Sequence, residues 1–191
     1  MALAKVTLDG KYVRLEPLEE RHRELVRPAA QHPGIFTITT SAYGPLFDPY
    51  IDNALKRSDG AHDLAFAVWH KELKRFVGMT RYLNIEEVHK KLEIGSTWYE
   101  PAVWAGKVNP ECKYLLMRYA FETLGFHRVE YKTDARNGRS RAAILKLGAR
   151  QEGIHRKHMI MADGHVRDSV FFSIVDDEWP AVKAGLEKRL A

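Results

Sequence analysis

Leu92-Glu93-Ile94-Gly95-Ser96-Thr97-Trp98-Tyr99, followed by Glu100-Pro101-Ala102-Val103-Trp104-Ala105-Gly106-Lys107-Val108-Asn109-Pro110-Glu111, is the stretch on which the fold turns. Its first part is rich in β-branched and aromatic residues and reads as a strand. Its second part reads as a loop feeding a helix. Asn109 suits an N-cap, Pro110 the first helical position, and Glu111 the positive end of the helix dipole. Beyond it, Cys112, Leu115, Leu116, Tyr119, Ala120 and Thr123 fall on one helix face, and Gly125 supplies the stop. A strand that runs through a loop into a helix start points backbone N–H groups outward, which favours a phosphate there. An ordinary capped helix start is the competing reading.

Working upstream, Leu64–His70 and Phe76–Asn84 join Leu92–Tyr99 in a predicted antiparallel meander. A small hairpin is expected around Asp9-Gly10, and a helix over Leu18–Ala30 that Pro28 ends or kinks. His32 to Pro49 is irregular and is a candidate substrate-facing loop, followed by a short helix over Pro49–Lys56. Downstream, His127–Ala135 alternates as a strand with one buried face. Asn137–Leu147 reads as a helix closed by Gly148. A hairpin over 150–162 and 165–175 turns at Ala162-Asp163-Gly164, and a last helix spans Pro180–Leu190. The order predicts an α/β fold: one twisted mixed sheet flanked by helices, as a single domain over residues 1–191.

Composition narrows the function. The chain has 191 residues, 45% hydrophobic and 29% charged, with a net charge of +5. That fits a globular protein and excludes global disorder. The mild basicity suits an anionic ligand, and a nucleic-acid role rests on it alone with no recognition motif. One cysteine, Cys112, excludes an internal disulfide and a Cys-rich zinc site. No stretch approaches membrane-spanning length, and Met1–Leu15 carries charges where a signal peptide needs an apolar run. A cytoplasmic protein is expected. None of the 13 glycines stands two residues from another, so a GxGxxG fingerprint is excluded, and GxxxxGK[ST], HExxH and GxSxG do not occur.

Glu93-Ile94-Gly95, Glu100-Pro101-Ala102 and the run from Trp104 to Lys113 together resemble the GNAT N-acetyltransferase superfamily. Asn137-Gly138-Arg139-Ser140-Arg141-Ala142-Ala143-Ile144 and Lys146-Leu147-Gly148-Ala149 extend the match. Arg81-Tyr82-Leu83-Asn84-Ile85 and Asp177-Glu178-Trp179-Pro180 look like the branch of ribosomal-protein N-terminal (alanine/serine) acetyltransferases. The resemblance runs from Val6 to Pro180. It implies a GNAT-like, mostly antiparallel sheet with a V-shaped opening between the fourth and fifth strands. It also implies acetyl-CoA as donor, an amine acceptor (a protein N-terminus or a small molecule), direct attack in a ternary complex, and no metal. A monomer or homodimer is expected, with no membrane or nucleic-acid partner.

The resemblance assigns roles residue by residue. A backbone N–H near Thr97 or Trp98 would hold the oxyanion. The pyrophosphate would sit on the loop of Trp104, Gly106, Lys107, Val108 and Asn109. There the family pattern has Gln or Arg, then glycine, then glycine or alanine, where this chain has Trp104, Lys107 and Asn109. Lys107 is therefore expected to take a backbone conformation that suits glycine, or to meet phosphate with its side chain. Asn137 would bond the pantetheine amide, Ser140 would protonate the leaving thiolate, and Arg141 would meet the ribose 3′-phosphate. Asn137 and Ser140 also suit plain capping.

Glu93, flanked by Leu92 and Ile94, is either a general base or the partner of a cation such as Arg81. Glu86 and Glu87 are solvated turn residues by comparison. His155 and His158 should face opposite sides of a strand and make a poor metal pair. Cys112 should be buried and inert. A module that binds acyl-CoA without turnover is the alternative function.

Overall fold

Asp9-Gly10 turns the chain back on itself, pairing strand β1 (Leu8–Asp9) antiparallel with β2 (Val13–Pro17). The structure, a computed structural model, describes residues 2–38, 43–161 and 164–191. The predicted turn residues Ala162 and Asp163, and 39–42 of the irregular stretch, lie outside the described residues. β2 pairs with β3 (Leu64–His70), β3 with β4 (Arg75–Glu86) and β4 with β5 (Lys91–Tyr99), each antiparallel. β5 then runs parallel to β6 (Arg128–Asp134). The final hairpin, β7 (Arg150–Ile160) and β8 (Val166–Val175), places β8 beside β6, so the sheet order is β1-β2-β3-β4-β5-β6-β8-β7.

Helices cover both faces. Between β2 and β3 lie α1 (Arg23–Val26) and α2 (Phe47–Arg57). The long helix expected over Leu18–Ala30 is instead α1 between two 3₁₀ turns, Glu20–His22 and Arg27–Ala30. Pro28 has no N–H to continue an α-helix, so the chain tightens there. α3 (Val108–Arg118) makes the crossover from β5 to β6, α4 (Gly138–Leu145) follows β6, and α5 (Trp179–Leu190) closes the chain. Val13, Leu15, Tyr82, Ile94, Tyr131 and Phe172 pack with Leu116 and Leu186 on the α3–α5 face. Val26, Phe47, Ile51, Met79 and Trp98 form the core on the α1–α2 face.

The start of α3 departs from expectation. Asn109 does not cap it. The helix begins at Val108 with Lys107 at the cap position, and the Glu111 N–H donates to the Lys107 carbonyl at 3.0 Å. Pro110 still fits, because a missing N–H costs nothing in a first turn whose donors lack helical partners. At the other end a π turn over Tyr119–Thr123 extends the helix before Gly125, which takes the left-handed conformation (φ 63°).

Glu111 does more than face the helix dipole. Its carboxylate accepts N–H groups of Lys11 at 2.8 Å, Tyr12 at 2.7 Å and Val13 at 2.7 Å, which fastens the first hairpin to α3. A Cβ at Gly10 would stand 2.6–2.9 Å from that carboxylate and would push it off the amides it holds. Glu111→Ala should cost about 3 kcal/mol, since buried amides lose a charged acceptor. Gly10→Ala should destabilise in the same direction. Urea unfolding of each variant checks both, and a midpoint equal to that of the natural chain would refute the clamp.

Candidate active site

β5 and β6 pair over only three residues, Lys91↔Arg128, Leu92↔Val129 and Glu93↔Glu130. From Ile94 onward β5 has no strand partner on that side among the described residues, and the sheet opens. The opening expected between the fourth and fifth strands thus falls between the fifth and sixth, because the first hairpin contributes two strands to the count. On its other side β5 carries a bulge. Met79↔Trp98 and Arg81↔Gly95 are out of register by one, and Ser96 takes φ 45°. Bulges twist a strand away from its neighbour, and this one sits where β5 leaves β6.

Glu93 lies at the apex, 4% exposed. It faces the α1–α2 side, since its neighbours Leu92 and Ile94 face α3. The expected partner Arg81 is not its partner. Lys132 of β6 approaches at 3.2 Å and the Asn84 side-chain amide donates at 3.0 Å. Asn84 reaches it from a second bulge, at φ 50°. Arg81 instead lies over the Tyr50 ring, 4.6 Å from its centroid, with Nε buried and unpartnered. Burial pushes the Glu93 carboxyl above the ordinary carboxylate range, against the opposing pull of Lys132 and Asn84. Glu86 is on the surface and paired with Lys91 at 2.9 Å.

The bulge reverses the alternation of β5, so Thr97 turns toward α3 and Trp98 toward the Glu93 side. The Trp98 indole N–H donates to Tyr50 Oη at 3.2 Å and its ring packs edge-on against Phe36, so it lines the Glu93 side. Thr97 lies under α3, where its hydroxyl meets Thr80 Oγ1 and accepts from Lys113 Nζ, both at 2.7 Å.

The loop before α3 is ordered by its own contacts. Trp104 donates its indole N–H to the Tyr99 carbonyl at 2.8 Å and stacks under Arg139, whose guanidinium carbon is 4.1 Å from the ring centroid. The left-handed residue is Ala105 (φ 60°), not Lys107, which has an unstrained φ of −82°. A loop with one residue left-handed at 105 has no further need of glycine at 107. Lys107 Nζ donates to the Arg189 carbonyl of α5 at 2.5 Å, and a Cβ at Gly106 would meet only ordinary contact. The Val108 side chain is buried, and no side chain caps the first turn. Asn137 is the N-cap of α4, its Oδ1 accepting the Ser140 N–H at 3.0 Å. Arg141 donates to the Ala135 carbonyl at 3.2 Å, which holds it at the end of β6.

Two further expectations resolve. Cys112 is fully buried, and burial pushes its thiol up to about 12. His155 and His158 do not face opposite sides. Lys157, at φ 51°, bulges β7 and brings both rings onto Phe171, 5.5 Å from each other. Among the described residues no group of three or more His, Cys, Asp or Glu side chains could hold a metal, and no helix is long and apolar enough to cross a membrane. Sequence reasoning missed Asn84, Lys132 and Lys113 as site residues. Lys113 had one readable signal, since no acid stands three or four positions away on its helix to pair with it.

Known proteins share this architecture. A family model described as an acetyltransferase (GNAT) domain matches residues 13–150, and the chain belongs to that family. YdaF of Bacillus subtilis (strain 168), provisionally named a ribosomal N-acetyltransferase, is 31% identical over 106 residues. That alignment covers 56% of this chain, which spans only 57% of YdaF's length. A GCN5-related N-acetyltransferase from Brucella melitensis is 34% identical, with a TM-score of 0.91 over 100% of this chain and 88% of its own. RimJ of Mycobacterium smegmatis, solved with CoA-disulfide, shares the fold at 19% identity and a TM-score of 0.77, over 92% of this chain and 88% of its own.

The raised Glu93 pKa has a stability signature. Above an ordinary carboxylate pKa of about 4.3 and below the raised one, the folded chain keeps a proton that the unfolded chain has released. Stability should therefore fall as pH climbs through that window. Glu93→Gln should flatten this part of a plot of urea midpoint against pH, and an unchanged slope would assign it to another group.

Proposed function

We propose that this chain transfers an acetyl group from acetyl-CoA to a primary amine by direct attack in a ternary complex. The observation that carries this reading is the opening beyond the Glu93–Glu130 pair, with a buried carboxylate at its apex. A β5 edge without a strand partner suits an extended ligand carrying amides, as the pantetheine arm does. The first turn of α3, uncapped by any side chain, offers the Val108 and Asn109 amides and the positive dipole end to the pyrophosphate. Gly106 and Trp104 shape that loop, and Lys107 and Arg141 add positive charge beside it. Asn137 and Ser140 border the arm from the start of α4.

The acceptor enters from the α1–α2 face, where Glu93, Lys132, Tyr50 and Trp98 lie. An alkylammonium is a poor nucleophile until it loses a proton, and Glu93 accepts that proton directly or through one water. The nitrogen then adds to the thioester carbonyl, and a backbone N–H at the Thr97–Trp98 bulge holds the developing oxyanion. An acyl-cysteine route is disfavoured, because Cys112 is enclosed and its thiolate is suppressed. An amine of a ribosomal protein, such as its N-terminus, is the narrower acceptor reading, supported by the ribosomal N-acetyltransferase name of the Bacillus relative.

CoA at a hundredfold excess over its dissociation constant should stabilise the native state by about 2.7 kcal/mol, read as a rise in Tm. A flat melting profile at millimolar CoA would end the reading. Glu93→Gln should keep that rise while turnover, followed by thiol release across a panel of amines, drops roughly 10²-fold or more. Full turnover in the folded variant would make Glu93 an ion-pair partner only. Binding without thiol release in the natural chain would favour the non-catalytic acyl-CoA module.

A further inference from the structure

Lys113 is 5% exposed and sits on the inner side of α3. Its Nζ donates to Thr97 Oγ1 of β5 at 2.7 Å and lies 5.9 Å from the centroid of the Tyr131 ring of β6. The ammonium therefore lies between the two strands that separate, on the face opposite Glu93. It has no carboxylate within ion-pair distance among the described residues. A buried cation without an anion is expensive, and such groups persist where a ligand supplies the missing charge. Tyr131 Oη, buried in the same α3-facing core, also lacks a hydrogen-bond partner.

Resting on the acetyl-transfer reading above, we infer that Lys113 is the catalytic acid that protonates the CoA sulfur as it departs. Collapse of the tetrahedral adduct breaks the C–S bond, and its electron pair goes to sulfur. One Nζ–H proton passes to that sulfur, giving the CoA thiol and a neutral Lys113 amine, which regains a proton from solvent. The acceptor nitrogen gives up two protons, one to Glu93 before attack and a second from the adduct as the amide forms, both passing through that carboxylate to solvent. Lys113 gives one to sulfur and takes one back, so the exchange balances with one proton released. Ser140, half-buried at the start of α4, keeps a binding role.

The surroundings make the ammonium a usable acid. Tyr82 of β4, Tyr99 of β5, Tyr131 of β6 and Cys112 of α3 face this core, and all are held neutral by burial. Glu111, the nearby acid on α3, is turned away to the first hairpin. Burial with no anion lowers the Lys113 ammonium to about 8, close to the pKa of an ordinary thiol. Proton transfer between matched groups is efficient.

The test needs no acceptor. CoA itself is the probe, and its thiolate absorbance is titrated in the complex, with CoA binding verified first by the rise in Tm. A neighbouring ammonium favours the thiolate, so bound CoA should ionise at a lower pH than free CoA, and in Lys113→Met at least one unit higher than in the natural chain. Equal thiol titrations in the two proteins would overturn the inference. If Lys113→Met does not fold, the natural chain decides alone: a bound thiol that titrates at or above its free value overturns it. Absence of any CoA-induced rise in the natural chain would instead overturn the acetyl-transfer reading. In turnover, Lys113→Met should lose about 10²-fold in kcat, along with the decline in rate above pH 8. Ser140→Ala should keep that decline.

Discussion

A parallel strand pair that closes for three residues and then parts governs the rest of this molecule. Backbone donors and acceptors inside a protein need partners, and a sheet that splits in its middle leaves two inner edges short of them. β4 holds β5 along nearly its whole length, and β8 holds β6 from Arg128 to Asp134, so each half of the sheet is stiff while the seam is open. The bulge at Ser96 and the crossover through α3 are the local devices that keep the seam from closing.

Charge is divided across this seam. On the α1–α2 side stand a carboxylate and its lysine, Glu93 and Lys132, with Arg81 and Tyr50 beyond. On the α3 side stands Lys113, with hydroxyls and phenols around it. A group passing through the opening meets a carboxylate on one surface and an ammonium on the other. Such separation matters for Lys113, because an ammonium in direct contact with a carboxylate would be fixed in its charged form. The sheet is the spacer that prevents it.

The sequence disclosed the elements better than their junctions. Alternation in Arg128–Asp134 and the apolar stripe from Cys112 to Thr123 made strand and helix readable, because both signals are local. Asn109-Pro110 misplaced the start of α3, since the backbone closes its first turn from Lys107 with no help from a side chain. Arg81 looked like the partner of Glu93 because β4 is the adjacent strand in sequence. The true partner lies on β6, across a crossover whose register no local pattern encodes. His155 and His158 were misassigned because a lysine at positive φ leaves no mark in the sequence. Lys113 lies beside an apolar stripe, where lysines usually extend to water, and only the assembled sheet shows that this one does not.

The clamp of Glu111 on the amides of Lys11, Tyr12 and Val13 links positions about a hundred residues apart. During synthesis at roughly 5–20 residues per second, the first hairpin emerges on the order of ten seconds before its anchor exists. Until then its three amides have only water to bond. The first hairpin thus completes its clamp only after more than half of the 191-residue chain has been made.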